Sequence, residues 1–211
     1  MAAVCGVPAA LRAPDLPGGA AIPPLQLILA SASPRRRELL EAAGWEVAVR
    51  PADVDETRLP GEAPGAYVAR LARAKAAALG AAGGAIVLGA DTVVVCDAAV
   101  LGKPTSDAEA AAMLARLAGR MHQVLTGVCL RRGARALVRV ETTQVCFAPL
   151  TPGEIAAYVA SGEPRDKAGA YAIQGRAARY IPRIEGSYSN VVGLPLAAVW
   201  EMWTELTEGG H

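Results

Sequence analysis

The chain has 211 residues, room for one well-buried domain with two lobes and too few for two large domains. Its 21 Lys and Arg against 20 Asp and Glu leave a formal charge of +1, which excludes the global basic field that binds nucleic acid or anionic membranes without specificity. The most apolar stretch, AIVLGADTVVVCDAAVLG, is interrupted by Asp91 and Asp97, which argues against a transmembrane span. In chain order, residues 1–24 are Ala, Gly and Pro with little periodicity, lack the continuous apolar run of a secretory signal, and read as a disordered leader to a domain over 25–211. LQLILA (25–30) is a strand running into a Ser-Pro turn and helix, and WEVAVR (45–50) alternates as a second strand. A Pro-rich polar loop (51–64) precedes a helix over about 64–80. Residues 85–96 are a buried strand turning at Asp97-Ala98, and 106–118 form a helix stopped by Gly119. The segments 121–131 and 135–148, joined by RRGA, read as an antiparallel hairpin. Helices follow at 151–160 and about 195–206, with a Gly-rich polar stretch over 161–190 between them. The pattern is α/β, a mixed β-sheet with flanking helices. Cys5, Cys96, Cys129 and Cys146 have no CxxC or zinc spacing and read as reduced thiols, which fits a cytoplasmic protein.

Several residues sit where ordinary folding rules would not put them. Ser33 and Pro34 open a helix whose first turn carries Arg35, Arg36 and Arg37, although a helix N-terminus is already positive. Hydroxyls, backbone N–H groups and guanidinium forks in one small volume suit phosphate oxygens; a solvated basic face is the alternative. Lys75 shares the apolar i, i+4 stripe of Tyr67, Val68, Leu71 and Leu79, so it either lays its stem along the core edge or faces an anion. Asp91 is a carboxylate inside a buried strand and needs a solvent-open bend, a cation or a metal; Gly89 before it permits a bulge that would aim it into a cleft. Glu56 in the loop VDET is an acidic candidate, and Lys103 in LGKP is by itself an ordinary surface lysine. In DKAGAYAIQG (166–175), Gln174 carries an amide able to donate and accept, toward a base edge or within its own loop.

Taken in order, LASASPRRRELL, VDET, ARLARAKA, GADTVV, LGKP, DKAGAYAIQG and IEGSYSNVVGLPL resemble the Maf family of nucleoside triphosphate pyrophosphatases over about residues 25–206. The resemblance implies two lobes around a substrate cleft, as in the inosine triphosphate pyrophosphatases, often as a homodimer. It implies hydrolysis of a nucleoside triphosphate to monophosphate and pyrophosphate with a divalent cation, Mg²⁺ or Mn²⁺, and no nucleic-acid or membrane partner. By position, Ser33, Arg35 and Arg36 match the phosphate and substrate loop, and Lys75 and Lys103 the site lysines. Asp91 matches the proton acceptor, with Glu56 and Asp91 as candidate metal ligands. Arg35, Thr92 and Gln174 match the dTTP/UTP subgroup, where the 7-methyl-GTP subgroup carries a bulky aromatic, a Gln and a Glu. Substrates would then be dTTP, UTP and modified pyrimidine nucleotides. A nucleotide-binding regulator of septum formation with little turnover is the competing reading. Ala172 departs from the more common Gly of that segment, which matters only if the backbone there needs positive φ.

Overall fold

The computed structural model describes residues 26–80 and 82–208; the leader expected over 1–24, with Cys5, lies outside the described residues. The first apolar run forms β1 (Leu27–Leu29), fully buried, and the Ser-Pro turn starts α1 (Pro34–Ala42) with Pro34 in its first turn. β2 (Val47–Val49) pairs parallel to β1. The polar loop then leads into α2 (Pro64–Ala78). β3 (Ile86–Cys96) turns back through Asp97 and Ala98, at φ 49° and 63°, into β4 (Ala99–Leu101). α3 (Asp107–Leu117) starts where Ser106 Oγ accepts from the Glu109 N–H, and Gly119 at φ 70° lets the chain leave it. The expected hairpin is β5 (Met121–Arg132) and β6 (Arg135–Cys146), in register from end to end. α4 (Pro152–Ala160) carries a capping box between Thr151 and Glu154.

The Gly-rich stretch over 161–190 holds more structure than its composition suggests. It contains two 3₁₀ turns, Ala168–Ala170 and Arg176–Tyr180, then β7 (Arg183–Glu185) and α5 (Tyr188–Val192). Three to five residues are too short to show periodicity; β7 and α5 are held by contacts with β6 and β5, and the first 3₁₀ turn by contacts with α3 and β3, rather than by local pattern. α6 (Leu196–Glu208) ends the described chain. None of the described helices is long and apolar enough to cross a membrane.

The seven-stranded sheet runs β2-β1-β3-β5-β6-β7, with β4 also on β3. One stretch of β3 creates the opening in the fold. β1 pairs with β3 only from Ile86 to Leu88, and β4 pairs with the same edge only from Val94 to Cys96. The edge is split over the residues between, where Asp91 and Thr92 lie. The other edge of β3 stays paired to β5 without interruption from Val87 to Val95, so the bulge expected at Gly89 does not form. Gly89 is needed for another reason: a Cβ there would lie 2.2 Å from the Ala72 carbonyl oxygen of α2. Distinct apolar cores flank the split. One packs Leu40 of α1 and Met202 of α6 against Leu29 and Leu88, and another packs α3 and α4 with Phe147 and Tyr171 against the far half of the hairpin. This is the expected mixed sheet with two lobes.

Candidate active site

The split edge opens into a cleft of about 580 Å³ lined by Ser33, Arg35, Glu56, Lys75, Asp91, Thr92, Lys103 and Gln174, among others. The candidate site residues named in the sequence, Arg36 among them, thus meet in one cavity, whereas Arg37 of the same helix start does not line it and pairs with Glu41 at 2.8 Å. β3 alternates, so Asp91 faces α2 with Gly89 and Val87, while Thr92 faces the opposite side with Ala90.

On the α2 side, the Lys75 ammonium donates to Asp91 Oδ1 at 2.7 Å and is paired with Glu56 Oε1 at 2.6 Å. Lys75 and Asp91 are each buried, whereas the Glu56 side chain is half exposed. The buried lysine is therefore no stem lying along the core edge; it is the cation that makes a carboxylate inside β3 tolerable. Burial raises the Glu56 carboxyl, but the hydrogen bond and charge of Lys75, with the charges of Lys103 and Arg36, outweigh it and hold the group below its usual 4.5. Asp91 Oδ2 has no hydrogen bond among the described residues and is not among the side-chain atoms sealed from solvent. It can therefore accept a proton from water in the cleft.

On the other side, Arg36 behaves differently from a phosphate clamp. Its guanidinium is buried and donates four hydrogen bonds to the protein: Nε to Gly193 O (2.9 Å), Nη1 to Ser31 Oγ (3.1 Å) and Ala90 O (2.8 Å), and Nη2 to Thr92 Oγ1 (3.1 Å). With five N–H groups in all, one is left for a ligand. Burial lowers its pKa from 12.5, and Asp91 opposes that shift. Arg36 thus ties the turn after β1, the open edge of β3 and the turn before α6 into one unit. Thr92 is part of the same network, its hydroxyl 2.9 Å from Thr126 Oγ1 on β5.

The groups left free are the ones a polyanion needs. Ser33 is the N-cap of α1, but its side chain makes no capping bond, and no acidic residue occupies the first turn. Arg35 makes one long bond to Asp166 O at 3.4 Å, and Lys103 makes none among the described residues. Gln174 is exposed, and its amide has no protein partner among the described residues. Sequence reasoning missed Lys167, which lines the cleft, and whose pKa is lowered by burial and then by the charge of Arg35. It stands inside the DKAG motif, so the signal was present. Ser31 and Tyr67, whose OH donates to Glu56 O at 2.7 Å, were likewise not singled out.

The chain belongs to the Maf family. The family described as Maf-like protein matches residues 26–206, spanning every element of the cleft. A dTTP/UTP pyrophosphatase of Symbiobacterium thermophilum is 56% identical over 181 residues, 85% of this chain and 93% of that protein. A dTTP/UTP pyrophosphatase of Anaeromyxobacter sp. is 54% identical over 191 residues, 88% of this chain and 90% of that protein. The structure of a HAM1 protein from Coxiella burnetii aligns at 19% identity and a TM-score of 0.46, over 87% of this chain and 99% of that one.

A divalent cation fits the donors this Maf-family cleft offers. Among the described residues no cluster of three or more His, Cys, Asp or Glu side chains gathers, but Glu56 and Asp91 converge on one cation, Lys75. Two carboxylates are what Mg²⁺ takes from a protein when substrate phosphates and waters complete its shell. The free cysteines Cys96, Cys129 and Cys146 play no part; none lines the cleft.

Proposed function

We propose that this Maf-family protein hydrolyses dTTP and UTP to the monophosphate and pyrophosphate, with modified pyrimidine nucleotides as further substrates. One observation carries the reading: a carboxylate held by a buried lysine opens on the same cleft as uncommitted cations and an uncommitted amide. The activity named for the similar proteins of S. thermophilum and Anaeromyxobacter supports it.

In this reading the triphosphate lies against the N-terminus of α1, with Ser33, Arg35, Lys103 and Lys167 neutralising its oxygens and the charge that develops on the leaving pyrophosphate. Asp91 accepts the proton of the attacking water, and Lys75 keeps that carboxylate aimed into the cleft. Glu56 and Asp91 would hold Mg²⁺ or Mn²⁺, which supplies Lewis-acid neutralisation of phosphate charge. Gln174 faces the base. Uracil and thymine present two carbonyl acceptors around an N–H donor, and an amide complements one such pair where a glutamate lacks the donor.

The test is release of pyrophosphate from UTP, dTTP, CTP and 7-methyl-GTP, with Mg²⁺, with Mn²⁺ and with chelator. Turnover of UTP and dTTP is expected, lost on chelation. Asp91→Asn should cut kcat by about 10²- to 10⁴-fold, and Gln174→Glu should erase the pyrimidine preference. Protein that leaves UTP and dTTP intact in either metal sinks the reading.

A further inference from the structure

The Gln174 side chain is exposed, yet the backbone that carries it is bound on both sides. Just before it, the Ala172 N–H donates to the Tyr158 OH at 3.2 Å. Just after it, the Arg176 N–H donates to Glu163 Oε2 at 3.0 Å. The two acceptors are themselves joined, because the Tyr158 OH donates to Glu163 Oε1 at 2.9 Å. Between them the turn closes on itself, Gly175 N–H to Ala172 O at 3.1 Å. The Glu163 carboxylate lies so close against Gly175 that a Cβ there would sit 2.3 Å from Oε1, which gives the glycine of this turn a steric reason. Upstream, Tyr171 is anchored by its OH, 2.8 Å from His122 Nε2.

The supports are rigid. Tyr158 is 2% exposed, on the last turn of α4, whose N-terminus is locked by the Thr151–Glu154 capping box. Ser161 closes the other end, donating to Tyr158 O and accepting from the Glu163 N–H. Burial pushes the phenol of Tyr158 well above its usual 10, so it stays a neutral donor at any working pH. Neither Tyr158 nor Glu163 lines the cleft, so neither touches substrate.

We propose that Tyr158 and Glu163 are positioning residues for base selection, a clasp that holds residues 172–176 so that Gln174 meets a pyrimidine imide edge in a fixed orientation. The inference rests on Gln174 reading the base, as proposed above. An amide discriminates uracil from cytosine only if it cannot turn or shift to suit either, because the penalty for the wrong base is an unmatched donor or acceptor held in place.

The experiment compares kcat/KM for UTP and CTP in the wild type, Tyr158→Phe, Glu163→Ala, Glu163→Gln, Gln174→Ala and the double variant Tyr158→Phe/Gln174→Ala. Tyr158→Phe keeps the buried ring and removes only the hydroxyl, so the α4 core survives it. The UTP/CTP ratio should fall about tenfold in Tyr158→Phe and Glu163→Ala, mainly through a raised KM for UTP, with Glu163→Gln in between. In the Gln174→Ala background Tyr158→Phe should change the ratio no further, since both act through one group. The clasp is overturned if the ratio in Tyr158→Phe and Glu163→Ala stays within about threefold of wild type while Gln174→Ala changes it. Equal losses on both nucleotides also overturn it, because they mark plain structural support. A ratio unmoved by Gln174→Ala removes the base-reading role itself, and the clasp's purpose with it.

Discussion

Arg36 and Arg35 are neighbours in sequence with opposite fates. Arg36 lies four residues before Leu40, so the two share one helical face, and both are buried. That spacing is written in the sequence and separates the inward arginine from the cleft-facing one. Which backbone carbonyls it would meet is not written there, since Ala90 and Gly193 arrive from 54 and 157 residues away. The geometry needs a planar fork, because one side chain must reach Gly193, Ser31, Ala90 and Thr92 at once. Arg36→Lys keeps the charge and loses the fork. It should destabilise the fold by roughly 2–4 kcal/mol, read from urea midpoints, and lower kcat as the open edge of β3 loosens beside Asp91. A lysine variant of unchanged stability would show that charge alone suffices there.

The elements meet most tightly where α2 crosses β3 and β5. An added Cβ would lie 2.2 Å from Ala72 O at Gly89 and 2.3 Å from Val68 O at Gly127, so two glycines on adjacent strands let the helix backbone rest directly on the sheet. This contact sets the height of Lys75 above Asp91, one helical turn beyond Leu71. Gly89→Ala is therefore expected to cost about 1–3 kcal/mol or more in stability, and to lower activity beyond what that loss explains by lifting Lys75 from the carboxylate. Thermal unfolding and kcat measured on the same preparation check both parts. The long elements were legible because their hydrophobic periods run through eleven or twelve residues, as in β3, β5 and β6. Gly89 was misread because a glycine in a strand signals either a bulge or a close backbone approach, and only the position of α2 distinguishes them. β7 and α5 were missed because neither is long enough to carry a pattern of its own.

At the scale of the whole molecule, the cleft exists because β3 is shared by two lobes with separate cores, and the lobe bearing Gln174 has an ionisable group at its centre. His122 is 2% exposed, stacked edge-on against Phe147 and Tyr171, with Nε2 on the Tyr171 OH and Nδ1 without a partner among the described residues. Burial lowers its pKa from 6.5 to about 4. The unfolded imidazole takes up its proton near 6.5 and the folded one only near 4, so between those values the unfolded chain holds more protons. Stability from this site is complete above the upper value and is lost as pH falls toward the lower one, to a limit of about 3 kcal/mol. His122→Gln retains an acceptor for Tyr171 and cannot titrate. Urea midpoints taken from pH 7 to pH 4 should fall more steeply for the wild type than for this variant, and parallel curves would mean that the acid sensitivity of this lobe comes from its carboxylates instead. Because the folded imidazole stays neutral until about pH 4, its contact with Tyr171, which lines the cleft beside the Gln174 turn, is kept over this interval, and the preference of the folded wild type for UTP over CTP should hold there even as its stability falls.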